Sequence, residues 1–322
     1  MSFQRQRSPR IPLRTVYLGG GTPGLMSPRS LESLKAVLEK HFELARVEEF
    51  TIECNPENVE KTILQAYRDL GINRVSMGVQ SFRAESLKRL ERLSTESKIQ
   101  SALESIDQVF DRWSLDLMMG VPAQSLQDLE SELEELQKIS PPHFSAYLLS
   151  LSDDHKWLKS DKMLKTLPDF DRQSEYFLAM DSWAVSHGYR HYELSNFCRP
   201  GAEAIHNSNY WNPDSQYLAF GPGAHGYLYL KSDQRIRFEM ERSPKLWLAS
   251  ESGIVWSESL TAMQQEIERL YLDLRVRREI SSERILPMLE LQRYFEKTGH
   301  RCRLRVEAWP LMDQIALQML PG

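Results

Sequence analysis

The sequence predicts an α/β protein organised on a parallel sheet, and three observations carry that expectation. From residue 14 to about 150, short strand-like runs alternate with amphipathic segments of helical period. The connections between them are short, as repeated βα units require. The downstream ends of the runs collect glycine and polar residues, which puts a ligand site beyond the carboxyl ends of the strands, whether the sheet is open or closed as a barrel.

The first run, Thr15–Leu18, passes straight into Gly19-Gly20-Gly21-Thr22-Pro23. Consecutive glycines let a backbone approach a ligand with no side chain between them, and Pro23 fixes the exit from the turn. Ser27-Pro28 then reads as a helix start, with a serine cap and proline at the first helical position. Strand, bare turn and helix start together make a place for a polar ligand, although a plain strand exit has the same local appearance. Leu31, Leu34, Val37 and Leu38 form the apolar face of the helix that follows.

The second run, Phe50–Cys54, ends in Glu53-Cys54-Asn55-Pro56 and leads to a helix carrying Ile63, Leu64 and Leu70, closed by Gly71. Arg74–Val79 is the third, ending in Gly78-Val79-Gln80-Ser81-Phe82. Ser114–Met119 holds Asp116 and ends in Gly120-Val121-Pro122, followed by a helix with Leu126, Leu129, Leu133 and Leu136, and Phe144–Ser150 is the fifth. A carboxylate inside an apolar strand is costly unless it is paired. A neighbouring arginine or amide would explain Glu53 or Asp116 singly; their recurrence at equivalent places points to one shared polar site.

Past residue 150 the pattern changes. Residues 152–168 are polar and lysine-rich, a helix is expected over about 169–187 up to Gly188, and a short strand over Tyr189–Leu194. The stretch from 198 to 230 is aromatic, glycine-rich and without period, and such segments are more often functional than not. From about 240 onward helical faces return, at Ile267, Leu270, Tyr271 and Leu274 and again at Ile285, Met288, Leu289 and Tyr294. His300–Arg305 reads as a short strand or turn before a last helix, Pro310–Leu320. The expected division is therefore 1–235 for the βα domain, including the loop region 195–230, and 236–322 for a small, mainly helical domain.

At 322 residues with a net charge of -5 and pI near 6.0, the chain lacks the basic footprint of a nucleic-acid binder. No apolar run approaches the ~18 residues of a membrane span. The basic N-terminus has no apolar core and is no secretory signal; its lack of acidic residues is compatible with a transit peptide, but it is short and proline-containing, and the cytoplasm is the expected location. Cys54, Cys198 and Cys302 lie far apart, with neither disulfide nor metal-ligand spacing.

The motifs G-G-G-T-P, E-x-N-P, G-V-Q-S-F, D-L-x-x-G-x-P, Y-E-x-S-N-F-x-R-P-G, H-N-x-x-Y-W and G-P-G-A-H occur here in the order seen in HemW-type proteins. The chain thus resembles relatives of oxygen-independent coproporphyrinogen III oxidase within the radical S-adenosylmethionine (SAM) superfamily, from about residue 15 to 230. The resemblance implies a radical SAM-type (β/α)6 partial TIM barrel with a small helical C-terminal domain, and H-N-x-x-Y-W favours the haem-chaperone branch over the oxidase.

For SAM, the resemblance implies Gly20, Gly21 and Thr22 in the turn, Glu53 at the methionine part, Gln80 and Arg92 along the pocket, and Asp116 at the ribose. For haem it implies His206, Asn207, Tyr210 and Trp211, imidazole being an ordinary axial iron ligand; a structural role for His206 stays open beside it. Family members also carry a strand ending in C-x-x-x-C-x-x-C that binds a [4Fe–4S] cluster. This sequence does not contain it, so the expected barrel lacks its first βα unit and the chain is not expected to be a competent oxidase as it stands. Three functions follow: a haem chaperone that delivers haem to an accepting protein, as a monomer or a homodimer; a porphyrinogen oxidase; or an inactive remnant. The first is favoured.

Overall fold

The computed structural model describes residues 10–153, 155–231 and 234–320. Five parallel strands follow one another: β1 (Thr15–Leu18), β2 (Glu49–Cys54), β3 (Arg74–Gln80), β4 (Trp113–Met119) and β5 (His143–Leu148). The hairpin strands β6 (Arg190–Glu193) and β7 (Asn196–Cys198) complete a seven-stranded sheet of order β1-β2-β3-β4-β5-β7-β6, with β7 antiparallel to β5 and to β6. It curls into a half-barrel, the radical SAM-type partial TIM barrel the resemblance implies.

Buried parallel strands usually read as unbroken apolar runs. Here they alternate. Phe50, Ile52 and Cys54 on β2, Val75, Met77 and Val79 on β3, and Leu115, Leu117 and Met119 on β4 belong to the apolar core. Residues between them are polar: Glu49, Thr51 and Glu53; Arg74 and Ser76; Ser114 and Asp116. Side chains of period two separate onto opposite faces, so one face packs under helices and the other lines a polar lumen.

The outer layer comprises α1 (Pro28–His41), α2 (Lys61–Asp69), the short α3 (Ala84–Arg89), α4 (Glu96–Val109), α5 (Leu126–Ile139) and α6 (Phe170–Ser186). Leu31, Leu64, Tyr67, Ile99, Leu103, Ile106, Leu129, Leu133 and Leu136 bury their faces against the sheet. The starts are set by side chains, as the sequence predicts at Ser27, whose Oγ accepts the Ser30 N–H at 3.1 Å ahead of Pro28. Ser125 and Asp128 form a reciprocal capping box on α5, and Asp169 caps α6.

Two compact units divide the chain, Met1–His206 and Asn207–Gly322. In the second, α7 (Ile205–Tyr210) leads out of the first unit into a three-stranded antiparallel sheet of β8 (His225–Lys231), β9 (Gln234–Met240) and β10 (Ile254–Leu260), with α8 (Pro244–Ala249) between the last two. Then come α9 (Ala262–Arg275), a small sheet of β11 (Ile280–Ser281), β12 (Phe295–Thr298) and β13 (Arg301–Leu304), and α10 (Met312–Gln318). The division expected after residue 235 falls inside the sheet, at the start of β9, which pairs with β8.

Three local readings differ from the sequence. The stretch 198–230 holds α7 and β8 rather than being irregular throughout. No α-helix forms over 285–294, where Pro287 breaks the apolar period and only 3-10 turns at Ser282–Arg284 and Gln292–Tyr294 remain. The last helix starts late, at Met312, behind a 3-10 turn containing Pro310.

Candidate cofactor site in the barrel lumen

The site begins at the exit from β1. Gly20 and Gly21 take φ of +82° and +65°, a left-handed backbone that glycine adopts without strain, and a methyl group at either would meet nothing within 4 Å. Gly19 is needed for another reason: a Cβ there would lie 2.6 Å from the Tyr17 ring and 3.0 Å from Glu53 Oε1. Behind the turn, Tyr67 of α2 donates its hydroxyl to Met26 O at 2.6 Å and Gly24 O at 3.1 Å, which fastens the loop to the helical layer.

Glu53 stands beside this turn with both oxygens engaged. Tyr17 Oη–H donates to Oε1 at 2.7 Å, and the Gly20 N–H donates to Oε2 at 3.0 Å. On β4, Asp116 accepts from Ser76 Oγ at 3.2 Å. Burial pushes its carboxyl up to about 6, against the lowering effect of Ser145 and Arg74; Glu53 adds to the rise and Ser76 opposes it. Asp116 nevertheless keeps some accessible surface. Tyr17 is held well above the usual phenol range by burial first and then by the charges of Glu53 and Asp116. Ser76 links the two carboxylates, pairing with Glu53 across the ladder and donating to Asp116, while the Gly20 turn is tied to Glu53 by its N–H.

Gln80 ends β3 with φ +69°, a strained conformation for a residue with a side chain. Its amide and that of Asn55 both overhang Gly78, within about 3 Å of where a Cβ would sit. The next two residues are clamped from α5: buried Glu132 accepts the Phe82 N–H at 2.8 Å and the Ser81 hydroxyl. Thr22 is half-buried ahead of the 3-10 turn Pro23–Leu25. Arg92 is exposed beyond the end of α3.

The histidine motif is reached from the opposite end of the strands. Glu49, the first residue of β2 and fully buried, accepts the N–H groups of Ile205 and His206 at 2.9 Å each and an ion pair from Arg112 at 2.9 Å. One carboxylate thus caps the first turn of α7, where negative charge is favoured. The His206 ring shares a 2.8 Å hydrogen bond between Nδ1 and Thr15 Oγ1 and stacks on Tyr17 with centroids 4.8 Å apart and planes 18° from parallel. Burial lowers its pKa to about 4; Glu49 opposes that shift and Arg74 reinforces it. The imidazole is therefore neutral near pH 7.

Asn207, Tyr210 and Trp211 open the second unit. Tyr210 meets Tyr217 edge-on at 4.8 Å between centroids, and the Arg275 guanidinium lies 4.1 Å above the Trp211 ring.

Chemically, the lumen can hold a cationic ligand bearing hydroxyl groups, with carboxylates at Glu53 and Asp116 and amides at Gln80 and Asn55. An iron–sulfur cluster does not fit the residues present. Cys54, Cys198 and Cys302 lie buried on β2, β7 and β13, and burial pushes the first two thiols up to about 12. Among the described residues no three of His, Cys, Asp and Glu converge into a metal site.

This barrel and lumen define a class first: residues 3–136 match the radical SAM superfamily. Coproporphyrinogen III oxidase (HemN) from Escherichia coli has the same fold, with a TM-score of 0.80 over 96% of this chain and 78% of that one at 17% identity. The chain is also 31% identical to "Heme chaperone HemW" of Lactococcus lactis over 284 residues, 80% of this chain and 75% of the relative. Against the protein of that name from Bacillus subtilis identity is 30%, covering 84% and 72%. Against that of Escherichia coli it is 33%, covering 72% and 61%. The chain belongs to the HemW family.

Sequence reasoning missed Thr15, Tyr17, Glu49, Ser76 and Ser145. A signal was present in the period-two polar pattern Glu49-x-Thr51-x-Glu53 and Thr15-x-Tyr17, which marks a second, polar face of each strand.

Proposed function

We propose that the chain binds haem through the segment 206–211 for delivery to an accepting protein, and that its lumen holds SAM. The carrying observation is the state of His206: a neutral imidazole, fixed by Thr15 through Nδ1 and backed by Tyr17, has the form that ligates haem iron. Family membership supports the cargo, since the relatives are haem chaperones by name.

For SAM, Glu53 would receive the ammonium and Asp116 the ribose hydroxyls, with the bare backbone at Gly20 and Gly21 and the amide of Gln80 beside them. When bound, SAM would supply a sulfonium centre; the chain's residues bind and orient it. Action in the cytoplasm, possession of an accepting partner and assembly as a homodimer belong to the same reading. Among the described residues no helix is long and apolar enough to cross a membrane.

The test is a haemin titration followed by absorbance and affinity. His206→Ala is expected to shift the Soret band and weaken haemin binding about tenfold or more, roughly the 1.4 kcal/mol of one lost ligand contact. Cys302→Ala, buried on β13, should change neither. An unaltered spectrum and affinity in the His206 variant would remove that residue from the haem site.

A further inference from the structure

We infer that Tyr17 couples the occupant of the lumen to the haem-binding imidazole, so that SAM and haem influence each other's affinity through one side chain. The inference rests on the reading above and deepens it, because nothing in that reading requires the two ligands to interact.

Tyr17 has two attachments. Its hydroxyl donates to Glu53 Oε1 at 2.7 Å, and its ring lies face to face with His206 at 4.8 Å. The second contact is not a loose one. Thr15, two residues earlier on the same face of β1, holds His206 Nδ1 at 2.8 Å, so the imidazole is pinned to the strand that carries Tyr17. Glu53 in turn is pinned to the ligand turn by the Gly20 N–H at 3.0 Å. The path from Gly20 through Glu53 and Tyr17 to His206 is continuous, with every link a hydrogen bond or a stacked ring pair.

Its chemistry sets the direction. A phenol that donates to an ionised carboxylate gains electron density on its ring, and a charge-assisted hydrogen bond of this kind is short and strong. The stacked imidazole lies on that electron-rich face. When a cation binds Glu53, the carboxylate is neutralised and draws less on the phenol, and the support of Tyr17 for His206 as an electron donor to iron falls. Occupation of the lumen therefore weakens haem binding, and by linkage haem weakens SAM binding by the same factor. Tyr17 is a positioning residue here: it contacts Glu53 and His206, which meet the ligands.

The test compares haemin affinity with and without saturating SAM, in the wild type and in Tyr17→Phe, which keeps the ring and removes the hydroxyl. SAM binding is measured separately by equilibrium dialysis. SAM is expected to raise the haemin Kd of the wild type about fivefold or more, the usual lower bound for coupled sites. In Tyr17→Phe both ligands should still bind, with the ratio collapsed to about one. A second readout is independent of haem: the His206 ring resonance, identified by its loss in His206→Gln, should move on SAM addition in the wild type and stay fixed in Tyr17→Phe. Both ligands binding with equal ratios in the two proteins, or no SAM effect in the wild type, overturns the coupling and leaves the function standing. Failure of the wild type to bind SAM or haemin overturns the function itself, and the coupling with it.

Discussion

Glu49 shows how much one side chain can settle. It is fully closed off from solvent and satisfied by Arg112 and by two backbone N–H groups of α7. Removing it takes the acceptor from two amides, while the Arg112 guanidinium, 32% exposed, keeps the Glu203 carbonyl at 3.2 Å, so the cost is that of the unsatisfied donors, about 1–3 kcal/mol. Glu49→Ala is expected to lose stability of that order in denaturant titrations and to bind haemin more weakly, because the turn holding His206 loses its cap. Glu53 and Asp116 were readable from sequence as carboxylates recurring in apolar strands. Glu49 was not, because it opens its strand and its partners are Arg112 and residues of a helix far along the chain, which no local period reveals.

At the level of elements, the strands were legible and the connections less so. β1 runs over Thr15–Leu18 as expected, and β2 to β5 start within a residue of expectation, since alternating burial leaves a clear period-two imprint. The region 285–294 misled because Ile285 and Leu291 are buried yet a proline interrupts them. The turn after β3 was legible as a motif but not as a mechanism: the two residues that follow its strained Gln80 are held from α5 by Glu132, whose pKa burial raises, opposed by the Phe82 N–H and the Ser81 hydroxyl. Glu132→Ala should cost about 1–3 kcal/mol through the unsatisfied donors. It should also weaken SAM binding in dialysis, since Gln80 is free to leave its left-handed conformation; unchanged SAM affinity would separate the clamp from the site.

For the whole molecule the buried lumen groups predict a pH profile. His206, with a folded pKa of about 4 against the usual 6.5, and His143, also held well below it by burial and by Arg74 and Arg112, are proton-poor in the folded state. As pH falls from 6.5 the unfolded chain takes up those protons first, so stability is lost towards pH 4. Asp116 has the opposite sign: its folded pKa of about 6 exceeds the usual 3.8, so it adds stability as pH falls through 6 and costs it above. The contributions oppose each other between about pH 4 and 6. Asp116→Asn is expected to gain about 1–3 kcal/mol at pH 7–8, with part of the full shift screened at its accessible surface, and to lose stability more steeply on acidification. Thermal midpoints of both proteins from pH 4 to 8 check the sign. Parallel curves would contradict it.

The grip of Glu49 on Ile205 and His206 spans 156 and 157 positions of sequence. During synthesis the five parallel strands leave the ribosome well before their floor can be sealed. Until α7 emerges, an acid and an arginine wait at the base of a cup without their third party. A nascent chain therefore gains the contacts of Glu49 with Ile205 and His206 only once residue 206 has been made, after all five parallel strands.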